Sequence, residues 1–140
     1  MLWAGLLFAL AVTLERLSGR PFLSTRWGVL LAFALRGRRL GANLFLVSRL
    51  PAVGFRAAAQ TWGETVLVTE SVLTGNPART LAHEACHVAQ YRRLTSFGFL
   101  LLYLAQWVWG LLRTRNAFRA YWEVALEHEA RRAEARNESG

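Results

Sequence analysis

The feature that most constrains this chain is an uncharged run of nineteen residues, Leu94 to Leu112, lying between two groups of metal-binding side chains. A run of that length is enough for a helix to cross a bilayer. Before it stands His83-Glu84-Ala85-Cys86-His87, and after it the stretch Tyr121 to Arg131, with Glu123, Glu127, His128 and Glu129. One crossing would put ~30 Å of hydrocarbon between the two groups. A metal ion shared by both and a single crossing therefore exclude each other. Gly98, Gln106 and Gly110, with Tyr103, Trp107 and Trp109, favour a helix packed over a site or lying in the membrane interface. Arg residues on both flanks fit the interfacial version.

On a helix, His83 and His87 lie on one face a turn apart, so both imidazoles can bind one Zn²⁺ while Glu84 leans toward a metal-bound water. A zinc site needs a third protein ligand. All 17 basic residues are Arg and all nine acidic residues are Glu. This excludes a Lys nucleophile or an Asp dyad and makes a downstream Glu the natural third ligand. Helical spacing sets Glu127 on a face with Ala120, Val124 and Ala130, where small neighbours allow close approach. Glu129 follows Ala125, Tyr121 and Phe118 at the same kind of spacing, so geometry alone does not separate the two. Tyr91, His128 or an Arg can serve as a further donor to an oxyanion. Tyr91, four residues after His87, and His128, beside Glu127, suit packing or support of a ligand better. Cys86 reads as a packing residue.

With 140 residues the chain is one domain of α+β class, predominantly α-helical. Hydrophobic residues make up 54% and charged residues 19%, which excludes disorder. The net charge of +8 suits an anionic partner. Because the Arg residues lie singly or in small groups beside apolar stretches, that partner is an anionic membrane surface; no nucleic acid is expected. Residues 1–50 form an apolar, Arg-flanked segment and a candidate anchor. Its opening run Leu2 to Leu14 is too short to span and lacks the marks of a cleavable signal peptide. The expected location is membrane-associated or cytoplasmic. The single Cys86 forbids an internal disulfide.

The core spans residues 60–136. Thr65 to Thr69 reads as a strand whose edge can receive an extended peptide. Asn76 caps a helix with Pro77 at its first position, running from Ala78 to about Arg93. Further helices are expected from Phe99 to Leu112 and from Ala117 to Arg136.

The ordered combination of Thr65 to Thr69, then Leu81, His83, Glu84, His87, Gln90, Tyr91, then Gly98, Phe99, Leu100, Tyr103, Leu104, then Glu127, Glu129, Ala130 resembles zinc metallopeptidases of the gluzincin type. More narrowly, it is similar to small bacterial single-domain proteins related to minigluzincins. The resemblance implies a zincin-like fold, with a small sheet before the active helix and a glutamate-bearing C-terminal helix. It implies one Zn²⁺ held by His83, His87 and Glu127, with Glu84 as general base and a peptide or protein as substrate. There is one departure: related enzymes place Asp four residues after the Glu ligand, where it orients a ligating His, and this chain has Arg131. Glu123, Glu129 or a backbone carbonyl would have to supply that support. Two other outcomes follow from the same residues. One is a zinc-binding pseudo-peptidase without turnover; the other is a membrane-associated structural or interaction protein whose His pair is incidental.

Overall fold

The computed structural model describes residues 2–51 and 56–138. Two apolar helices, α1 (Leu2–Ser18) and α2 (Phe22–Ala34), lead into β1 (Arg38–Arg39) and β2 (Leu44–Leu46). A hairpin follows, of β3 (Ala59–Trp62) and β4 (Thr65–Val68), and then the short helix α3 (Glu70–Thr74). Three helices complete the chain: α4 (Pro77–Thr114), α5 (Ala117–Glu123) and α6 (Ala125–Glu138). The fold is mostly helical with one small mixed sheet of order β1-β2-β4-β3, in which only the β2–β4 pair is parallel.

Residues 1–50 thus supply half of the strands as well as two helices. Phe45 and Val47 join Leu67 and Ala32 in a core between α2 and the sheet. Gly28 makes that packing possible, because a Cβ there would lie 2.7 Å from Thr65 Cβ and 2.8 Å from Trp62 Cβ. The hairpin turns at Gly63, whose φ of +65° favours glycine. The strand expected at Thr65 to Thr69 is present as β4, but it lies between β2 and β3 and both its edges are paired. The sheet edge beside α4 belongs instead to β3, whose Thr61 reaches Glu84.

A second core joins Tyr91, Phe99, Val124 and Leu126. It exists because α4 is not straight. Thr95 has φ 66° and ψ 169°, a conformation that costs a non-glycine residue about 1–3 kcal/mol, and it divides the helix into arms at 77–94 and 96–114. Sixteen residues of straight helix would carry Tyr103 ~24 Å from His87. With the bend, the phenol of Tyr103 donates to Glu127 Oε1 at 2.8 Å. The expected apolar helix from Phe99 to Leu112 is therefore the second arm of α4. It meets α5 closely, since a Cβ on Gly110 would lie 3.0 Å from Ala120 Cα.

Glu15 holds the bend. Its carboxylate is fully buried and accepts from Ser96 N and Ser96 Oγ, each at 2.7 Å, and from Leu23 N at 2.8 Å. Ser24 N in turn donates to Ser96 Oγ at 2.9 Å. One side chain thus satisfies backbone amides that lack a partner within their own helices, at the start of α2 and of the second arm together. Glu15→Gln replaces one acceptor oxygen with an amide that faces a backbone N–H, and it should lower stability by about 1–3 kcal/mol in urea unfolding in detergent. A change below about 0.5 kcal/mol would contradict this role.

Candidate metal centre

The first arm of α4 starts as its sequence dictates. Pro77 occupies the first turn and Asn76 Oδ1 accepts from Arg79 N at 3.1 Å. His83, Glu84 and His87 follow on it. The expected single helix from Ala117 to Arg136 is interrupted. Val124 is extended (φ −61°, ψ 126°), and Gln106 Oε1 in the second arm of α4 accepts from Ala125 N at 2.9 Å. Val124 is buried in the second core, so its packing, rather than any helix-breaking residue, fixes the break. The result places Glu127 in the first turn of α6, where the helix dipole favours a carboxylate.

His83, His87 and Glu127 converge, and together they can hold a metal ion. His83 Nε2 lies 3.2 Å from His87 Nε2 and 3.2 Å from Glu127 Oε2, and His87 Nε2 lies 3.4 Å from Glu127 Oε1. Two ligands ~2.1 Å from a tetrahedral ion are ~3.4 Å apart, so the donor set has the dimensions of such a site.

Tautomers follow from the surrounding bonds. Gln90 Nε2 donates to Leu126 O and Glu129 Oε2, both at 2.9 Å, which turns Gln90 Oε1 toward His87 Nδ1 at 2.8 Å. His83 Nδ1 faces Glu134 Oε2 at 3.2 Å, and Arg79 pairs with the other oxygen of Glu134. Both Nδ1 atoms therefore carry the proton, and in the neutral imidazoles both Nε2 lone pairs point at each other and at a carboxylate. Three electron-pair donors at this separation repel one another unless a cation or a proton lies among them.

The titration behaviour has the same origin. Burial alone would raise the Glu127 carboxyl, but hydrogen bonds with His83, His87 and Tyr103 outweigh it and hold the group well below the usual carboxylate range. Burial opposes charge on both imidazoles, yet Glu127 overrides it and both titrate above the ordinary histidine value. Glu84, nearly fully buried, is raised by burial although His87 and a 2.6 Å bond from Thr61 Oγ1 to its Oε2 pull it down.

The other expected residues fall elsewhere. Tyr91 stacks on Phe99 with ring centroids 3.8 Å apart; the tyrosines that reach the donor set are Tyr103 and Tyr121, both through Glu127. His128 is exposed. Glu129 orients His87 through Gln90, one of the supports expected for a His ligand. Arg131 lies over the Trp122 ring, 4.1 Å from its centroid, and donates to Trp122 O. Glu123 pairs with Arg113. The orienting carboxylate for His83 is Glu134, which sequence reasoning missed. It lies seven residues after Glu127, two turns along the same face, and that spacing was its signal. Thr61 had none, since β3 has only four residues.

Comparison with models of protein families, with curated proteins and with solved structures finds no match to this chain.

In the metal-free protein, the stabilisation from the His–Glu127 pairs is complete below the unfolded histidine value of about 6.5 and is lost as pH rises through the raised folded values. Thermal unfolding should move to lower temperature as pH rises above about 6.5. A saturating divalent metal ion should remove that trend. A metal-free protein that melts higher at the alkaline end would contradict the assignment.

Proposed function

We propose that this protein is a zinc-dependent peptidase of zincin-like, gluzincin type, associated with a membrane. The observation that carries the reading is the triangle of donor atoms on His83, His87 and Glu127, which can hold a metal ion, with a buried carboxylate one residue along from His83. Two imidazoles and one carboxylate form a donor set of catalytic zinc sites, in which a fourth position stays open. Zinc bound there supplies Lewis acidity, polarising a carbonyl and making a water acidic near neutral pH.

The chain's own groups supply the rest. Glu84 takes a proton on its carboxylate and delivers it to the departing amine, and the upward shift from burial suits both halves of that transfer. Thr61 fixes Oε2 of Glu84, so the base keeps one orientation. Gln90 and Glu134 hold the Nδ1 protons and keep both Nε2 atoms aimed inward, and Tyr103 restrains Glu127. The edge strand β3 offers backbone groups to an extended peptide beside Glu84, giving affinity with little sequence preference. The membrane association is supported by the second arm of α4, which is uncharged from Leu94 to Leu112 and exposes Leu101, Leu104 and Trp109.

Purified protein should contain one equivalent of zinc. His83→Ala or His87→Ala should abolish binding, whereas Glu84→Gln should keep the zinc and lose peptide hydrolysis. Full metal content in both His variants would refute the site. Glu127→Gln should weaken zinc binding far more than Glu129→Gln, whose effect through Gln90 should be about 10- to 100-fold. The reverse order would move the ligand to Glu129.

A further inference from the structure

The second arm of α4 has two unlike faces. Phe99, Tyr103 and Gly110 face the metal centre and α5, whereas Leu101, Leu104 and Trp109 on the outward side are 55%, 57% and 69% exposed. α1 exposes apolar side chains along most of its length, with Trp3 81% exposed. It joins the arm where Phe8 and Phe97 meet edge to face, ring centroids 5.2 Å apart. Apolar surface of this extent marks an interaction site rather than a solvated face.

Charge decides the occupant. The arm is free of charge from Leu94 to Leu112; Arg92, Arg93 and Arg113 at its ends pair with Glu64, Glu129 and Glu123, so the positive charge turned to solvent beside the apolar surface comes from the exposed Arg115 and Arg119 after the arm and Arg16 after the uncharged run Leu2 to Leu14 of α1. Apolar segments bounded by Arg, with tryptophan on the exposed surface, match acyl chains bordered by anionic headgroups. A second copy would oppose +8 with +8. The bend at Thr95 and Arg at both ends of the arm rule against a straight crossing.

We propose that the outward face of this arm, together with α1, seats in an anionic leaflet, and that the metal centre consequently works on peptide bonds close to that leaflet, in polypeptides anchored in the same membrane. The His–Glu cluster lies on the inward side of the very arm whose outward side meets lipid, so about one helix diameter, ~10 Å, separates them. The substrate class rests on the peptidase reading; the seating does not.

Two measurements test this. In flotation, the full chain should bind phosphatidylcholine vesicles containing phosphatidylglycerol at least about tenfold more tightly than vesicles of phosphatidylcholine alone. Leu101→Glu with Leu104→Glu should reduce that binding at least about tenfold and leave zinc stoichiometry unchanged. Equal binding by the doubly substituted protein, or a soluble dimer indifferent to vesicles, would overturn the seating. With zinc-loaded protein on the anionic vesicles, a peptide carrying a lipid anchor should be cleaved at least about tenfold faster than the same peptide free. Equal rates would overturn the substrate class alone, whereas cleavage of neither peptide would remove the peptidase reading and the substrate class with it, leaving the flotation result standing.

Discussion

The carboxylate of Glu15 holds together the starts of two helices that would otherwise bury unsatisfied amides, and it does so at the point where α4 bends. The rest of the molecule depends on that bend. Without it, the uncharged residues after Leu94 would continue away from His87, and neither the stacking of Phe99 on Tyr91 nor the bond from Tyr103 to Glu127 could form. The strained backbone of Thr95 persists because Ser96 is held from both sides, by Glu15 and by Ser24. A conflict visible in the sequence, between a run long enough to span and two halves of a site that must meet, is resolved by folding the run back over the site.

The candidate metal centre depends on a second set of contacts that aim its donors at one point. Gln90 and Glu134 occupy the outer nitrogens of the two imidazoles, so the inner nitrogens face one another and a carboxylate. Glu127 brings a negative charge and the first turn of α6 brings the positive end of a helix dipole. The site is electron-rich at its centre, held at its edge, and has a buried carboxyl group with raised proton affinity alongside.

Much of this was legible in the residues, and the reasons for the rest are physical. His83, Glu84 and His87 follow from helical spacing, and the cap by Asn76 and Pro77 from local chemistry. Glu127 and Glu129 were inseparable by spacing because the break between them and α5 occurs at Val124, a residue that signals nothing; only burial in the second core holds it extended. Thr95 likewise has no glycine or proline to announce it. Strands of two to four residues are too short for a period to show, which hid β1, β2 and β3 and placed the sheet edge on the wrong strand. Glu15 carried a signal that went unread, a lone acid in an otherwise apolar helix.

The central claim, that His83, His87 and Glu127 surround one zinc ion, is tested most directly by X-ray absorption at the zinc edge of protein loaded with one equivalent. Two imidazole nitrogens and carboxylate or water oxygens at about 2.0–2.2 Å, with no sulfur, are the predicted shell. A sulfur at about 2.3 Å, which would have to come from Cys86, or a shell without imidazole scattering would contradict it.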